Sequence, residues 1–206
     1  MKVRFCDEFD AGFGWIAAEP PLLQRCSHAV RSGGGVWLTD PVDGEGVEAR
    51  IRALGEPAGV VQLLDRHKRD SVALASRLSV PHYEVPLDGV PGAPFQVVKV
   101  VGIPTWHEVA LWFAEERALV CADALGTASY YLAPGEQLAV HPLLRLLPPR
   151  RLGGRQPLHV LVGHGAGLHG EEAGAGLERA LRDSRRTTPR WVAGAARRAA
   201  RRLTQR

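Results

Sequence analysis

Cysteine is scarce in this 206-residue chain. Cys6, Cys26 and Cys121 are odd in number, widely spaced, and form no C-x-x-C pair. That pattern argues against a disulfide framework or a cysteine-rich zinc site. It fits small buried thiols in a reducing compartment. Long apolar runs are missing too: none approaches the ~18 residues of a membrane span. The N-terminal stretch MKVRFCDEFDAGFGW carries acids where a signal peptide would be apolar. These absences together lead us to expect a cytoplasmic protein with no transmembrane segment. There is no internal repeat and no low-complexity segment. Lysine is rare as well, so the basic residues are nearly all arginine.

What the chain has is enough ordinary material for a core. Hydrophobic residues make up 45% and charged residues 23%, as in a soluble globular domain. At this length folding buries roughly 70% of the unfolded surface, so neither disulfide nor metal is needed to hold the core. The charge is unevenly spread. The net +4 divides into +9 from Arg179 onward and −5 before it. A mildly acidic body carries a basic tail.

The first half alternates strand and helix signals. "GFGWIAA" and "SHAV" read as short strands separated by the loop "EPPLLQR". "GGGVWLTD" is a β-favouring run between glycines and the Asp40-Pro41 break. Val47, Ile51 and Leu54 have helical spacing stopped by Gly55. "AGVVQLL" reads as a buried strand, "SVALASRL" as a helix and "VPHYEVP" as a short strand. Such a series predicts an α/β layered fold. In the second half "FQVVKVVGI", "EVALWFAEE" and "RALVCADAL" are three consecutive strands, with a turn near Glu115-Glu116. A Pro/Gly-rich excursion with one short helix follows. "LHVLVGHGAG" then reads as a strand running into glycines, "EEAGAGLERALRDS" as a helix, and "PRWVAGAARRAARRLTQR" as another.

Four polar points stand at strand ends: Asp40 in "LTD", the knot "DRHKRDS" at 65–71, Asp123 after "LVCA", and His164 in "GHG". Taken alone the knot reads as a solvated turn, with Asp70 or Ser71 capping the next helix. Asp40 reads as a structural acceptor. The ordered set, with its hairpin into Ala122-Asp123-Ala124-Leu125, resembles the metallo-β-lactamase superfamily. The resemblance covers Gly33 to about Leu181. It implies an α/β metallo-β-lactamase-like αββα four-layer sandwich, expected over residues 1–186, with residues 187–206 as a basic C-terminal helix or tail. It also implies that His67, Asp123 and His164, nearly a hundred positions apart at the extremes, meet in one pocket.

The family motif H-x-H-x-D-H departs here to "DRHKRD". His67 alone matches; Asp65 and Asp70 replace histidines, and Arg69 replaces the aspartate. Ahead of the hairpin, Pro104 falls on the family's downstream histidine position, and His107 takes that place only if the loop is shorter by three residues. The implied ligands are Asp65, His67, His107 and Asp123. Asp70 or His164 would serve as general base or orienting residue. A guanidinium has no free lone pair. A unit charge ~4 Å from a dication is repelled by roughly 8 kcal/mol at an effective dielectric of ~20. If Arg69 points inward it pairs with Asp70 or Asp123 in place of a metal. If it points outward, one zinc or iron ion fits.

Two functions follow from the resemblance. One is a hydrolase with a degenerate site and at most one metal, acting on a small-molecule ester, thioester, amide or phosphoester. The other is a metal-free binding or scaffold protein of the same fold. His28, His82, His141, His159 and His169 have no supporting context. In the tail, Val192, Ala195, Ala196, Ala199 and Leu203 form an apolar stripe at helical spacing, with arginines on the other face. Either the stripe packs on the domain, or the arginines attract a nucleic acid or anionic lipid.

Overall fold

Alternation between two cores explains the architecture. The computed structural model describes residues 1–18 and 23–204, without the side chains of 199 and 201–204. Residues 19–22 of the expected loop, and the Ala199 and Leu203 part of the tail stripe, lie outside that description. One sheet has the order β1 (Val3–Phe9), β2 (Gly12–Ala17), β3 (Cys26–Ser32), β4 (Gly35–Thr39), β5 (Pro57–Gln62), β6 (His82–Glu84). The other pairs, in spatial order, β13 (Leu168–His169), β12 (His159–Val162), β9 (Ala118–Cys121), β8 (Trp106–Phe113) and β7 (Gln96–Ile103). A small ladder joins β10 (Leu125–Gly126) to β11 (Ala139–Val140).

Side chains alternate between sheet faces along a strand. Trp37, Val61, Val109, Leu111, Val120 and Leu161 form the core between the sheets. Their neighbours Val36, Leu38 and Val60 turn outward onto Val47 and Ile51 of α1 (Val47–Leu54) and Ala75 and Leu78 of α2 (Ser71–Leu78). On the far side Ala110, Leu119, Cys121, Val160 and Val162 meet Ala173, Leu177, Ala180 and Leu181 of α3 (Glu172–Thr204). The result is helix, sheet, sheet, helix, the four-layer sandwich that the resemblance implied.

Four readings change. The strand β1 was not expected; its half-exposed sequence VRFCDEF lacks a clean apolar face. The two C-terminal helices are one, crossing the expected boundary at 186/187 with Pro189 inside it. Proline removes one backbone donor, and the hydroxyls of Thr187 and Thr188 bond to carbonyls of the preceding turn. Beyond it, Trp191 Nε1 donates to Tyr130 O at 2.8 Å, which draws the helix onward. The tail stripe is also rotated from expectation: Val192 is 53% exposed, and the packed side runs through Trp191, Gly194 and Ala195. The excursion holds two short 3-10 turns, Pro142–Leu144 and Arg150–Leu152, rather than one helix.

Candidate metal centre

The strand ends that build the site are drawn together by main-chain bonds between the sheets. Asp65 N donates to His107 O and Val109 N to Leu63 O, joining the end of β5 to β8. Cys26 N donates to Gly163 O, joining β3 to the end of β12. Gly165 has φ +93, and a Cβ there would collide with Thr127. Only glycine lets the chain turn this tightly after His164.

His67, Asp123 and His164 meet, with one ligand atom from each within 4.8 Å of the others, and all three are buried. Asp123 Oδ1 lies 3.1 Å from His67 Nε2 and 3.0 Å from His164 Nε2. Each ring is fixed from behind. His67 Nδ1 is 2.7 Å from Asp40 Oδ2, and His164 Nδ1 is 2.6 Å from Leu23 O. A carbonyl or carboxylate only accepts, so both Nδ1 atoms carry protons, and Nε2 is the ring atom turned towards Asp123. Asp40 is itself held by Leu63 N at 2.8 Å. It acts as the acceptor the sequence suggested, and it aims His67.

Asp123 Oδ1 has no hydrogen bond that meets normal geometry. Three possible ligand atoms thus converge on one point. Burial raises the Asp123 carboxyl, but His164 and His67 outweigh it and hold the group well below the usual carboxylate range. Burial and Arg69 work against a charge on His67, while Asp40 and Asp123 prevail and raise it. Glu108, fully buried, is pushed up to about 8 by burial. It accepts from Trp106 Nε1 and Ala124 N, tying the segment beside Asp123 to β8.

The other expected residues are placed differently. Asp65 and His107 pair with each other: Asp65 Oδ2 accepts from His107 N at 2.8 Å and sits 3.4 Å from its Nδ1. They stand outside the three-residue group. Asp70 Oδ2 accepts from Asp43 N at 2.8 Å and braces the loop before α1. Its side chain makes no capping bond to α2. Arg69 points inward, but to carbonyls rather than to Asp70 or Asp123. Its guanidinium donates to Cys26 O (2.6 Å), Asp40 O (2.9 Å) and Gly163 O (3.2 Å). Its backbone sits at φ 41, which places the side chain under the site instead of along the turn.

Arg66 is the residue the sequence reading passed over. Its Nη2 lies 3.0 Å from Asp123 Oδ2, and its guanidinium stacks 4.4 Å over Trp106. A planar cation beside a tryptophan two strands away leaves no local sequence signal. His28 and His169 also gain partners, both facing Asp7.

No protein-family model matches the chain, and no curated protein matches it. Solved structures do. The DIM-1 metallo-β-lactamase superposes with TM-score 0.62 at 14% identity, covering 92% of this chain and 98% of that one. The mono-zinc form of the FIM-1 metallo-β-lactamase from Pseudomonas aeruginosa gives TM-score 0.55 at 12% identity, covering 89% and 97%. The protein TTHA1623 in a di-iron-bound form gives 0.55 at 21% identity, covering 80% and 97%. Identities this low speak for architecture alone: the chain has the metallo-β-lactamase fold.

Proposed function

We propose that this protein is a hydrolase-like member of its fold that holds a single metal ion on His67, Asp123 and His164. The observation that carries the reading is Asp123 Oδ1, a buried oxygen without a hydrogen bond between two aimed imidazole nitrogens. An unpaired buried acceptor is costly, and one carboxylate oxygen with two imidazole nitrogens around one point suits a cation of the zinc or iron class. The mono-zinc and di-iron forms of the structural neighbours are consistent with that donor set. A metal ion in such a site polarises a carbonyl or phosphoryl oxygen and acidifies water.

The protein's own residues limit the site to one ion. Arg66 occupies the remaining Asp123 oxygen. A second dication ~4 Å from that guanidinium would be repelled by roughly 8 kcal/mol. Arg66 is 43% exposed in its side chain, so it presents a positive group at the mouth. There it can orient the anionic or carbonyl end of a small ester, thioester or phosphoester. Asp40 and the Leu23 carbonyl fix the imidazole tautomers. Asp65 and His107 form the rim. Asp70 and Arg69 are positioning residues that hold the loops beneath.

The test is elemental analysis of protein purified without chelator or affinity metal. One equivalent of zinc, iron or manganese that disappears in both His67→Ala and His164→Ala is expected. The same metal content in wild type and both variants would refute the assignment.

A further inference from the structure

A second group of side chains that could bind a metal lies on β1 and β3 of the first sheet. Cys6, Asp7 and Cys26 each place a ligand atom within 4.8 Å of the others. Cys6 Sγ is 3.7 Å from Cys26 Sγ and 3.5 Å from Asp7 Oδ2. Cys26 Sγ is 3.7 Å from Asp7 Oδ2 and 3.4 Å from His28 Nε2, which is itself 3.2 Å from Asp7 Oδ2. Zinc bonds of ~2.3 Å to sulfur and ~2.0–2.1 Å to nitrogen or oxygen give tetrahedron edges of about 3.3–3.8 Å. The three separations among Cys6, Asp7 and Cys26, 3.5–3.7 Å, fall in that range, and His28 lies close to Cys26 and Asp7 but outside the group that includes Cys6.

The backbone is shaped to bring these donors together. Adjacent strand residues normally point to opposite faces. Asp7 has φ 53, inside the register break between Cys6 and Phe9, and this turns it to the same side as Cys6. Between the two flanking strands, Gly14 pairs with both Cys6 and His28. A Cβ on Gly14 would come within 2.9 Å of Asp7 Oδ2 and of His28 Cδ2. The missing side chain is what lets Asp7 and His28 meet across β2.

Disulfide formation does not explain the convergence. Cys6 and Cys26 sit on β1 and β3, two strand spacings or roughly 9–10 Å apart. A disulfide needs ~4.4–6.8 Å between Cα atoms. The carboxylate is prearranged as well. Gly167 N at 2.7 Å and His169 Nε2 at 3.1 Å engage Asp7 Oδ1, so Oδ2 is left facing the thiols. Cys26, Asp7 and His28 are buried and Cys6 is half-buried, which leaves an entry on the Cys6 side.

We propose that Cys6, Asp7 and Cys26 form a structural site for one thiolate-preferring cation of the zinc class, with His28 beside Cys26 and Asp7. Binding displaces the proton from each thiol to solvent. The bound ion clamps β1 to β3, and through Asp7 Oδ1 to the turn ahead of β13. It stands apart from the His67–Asp123–His164 centre, which contains no sulfur.

Cobalt(II) tells the two centres apart. Metal-stripped wild-type protein, reduced and titrated with Co2+, should develop the intense ultraviolet sulfur-to-cobalt charge-transfer band, and zinc should bleach it. His67→Ala should keep the band at full amplitude while losing the other equivalent of metal. Cys6→Ser should lose about half the band, and the double variant Cys6→Ser, Cys26→Ala all of it. If the double variant does not fold, alkylation of Cys6 in the wild type decides: zinc should slow it about tenfold or more, and a chelator should restore it. A wild type with no charge-transfer band, a band that survives in the folded double variant, or a Cys6 alkylation rate indifferent to zinc would overturn the site.

Discussion

Asp7 and Asp123 are two buried aspartates in similar settings, and they differ in how their oxygens are shared: the two imidazoles take different oxygens of Asp7 and the same oxygen of Asp123. Each lies between two imidazole Nε2 atoms, at 3.2 and 3.1 Å for Asp7 and at 3.1 and 3.0 Å for Asp123. In each, burial raises the carboxyl and the histidines outweigh it, holding it well below the usual range. Asp7 Oδ1 is also anchored by a backbone amide, so that carboxylate pins two parts of the fold together. Asp123 Oδ1 has no hydrogen bond. The same residue type in similar charge surroundings therefore ties one oxygen to the backbone at Asp7, leaving only Oδ2 towards the thiols, and leaves the oxygen between the two imidazoles without a backbone anchor at Asp123.

Stability separates the two most sharply. In metal-stripped protein, Asp7→Asn should cost about 3–5 kcal/mol, because it breaks a buried charge network spanning β1, β3 and β13. Asp123→Asn should cost only about 1–2 kcal/mol while abolishing metal uptake at the His67–His164 centre. Urea melts of both variants check this, and equal losses would erase the distinction.

Glu136 is a third carboxylate, remote from both groups and bound to the fully buried Arg145 at 2.6 Å. Burial raises its carboxyl, but Arg145 prevails and the net shift is downward. A depressed folded value means its stabilisation is complete above the ordinary carboxylate range and is lost as pH falls through the folded value. Glu136→Gln should therefore cost about 2–3 kcal/mol at pH 7, and its melting curve should converge with that of the wild type in acid. A gap independent of pH would remove Glu136 as a control for charge pairing.

Asp40→Asn tests the orienting half of the Asp123 centre. It should weaken metal affinity by about 10–100-fold while Asp7-dependent stability is unchanged, as read by competition with a chromophoric chelator. The smallest effect concerns α3. Truncation at Pro189 should remove weak, salt-sensitive binding to anionic vesicles or DNA, and it should leave the cobalt spectra of both centres as they were. Vesicle and DNA binding that survives the truncation would dismiss the basic tail as a contact surface.

Much of the fold was legible in the residues. The helix SVALASRL runs over 71–78 as its spacing indicated, and Gly55 caps α1 where the periodic pattern stops. The strand-like runs EVALWFAEE and RALVCADAL are β8 and β9, buried along almost their whole length. His67, Asp123 and His164 could be named because their order at strand ends resembles that of the metallo-β-lactamase superfamily. Arg66 and the Asp7 group could not, since neither has a periodicity. Arg66 reaches Asp123 across 57 positions. Cys6 and Cys26 look like unrelated thiols until β2 places them on one face.

The sequence by itself determined where apolar faces alternate, and through them the layers and the strand ends at which polar side chains gather. Only the tertiary structure decided which of those side chains share a point in space. Local pattern fixes the direction of a side chain relative to its own strand. Whether two donors lie 3 Å or 13 Å apart depends on register, bulges and the packing of one sheet on another.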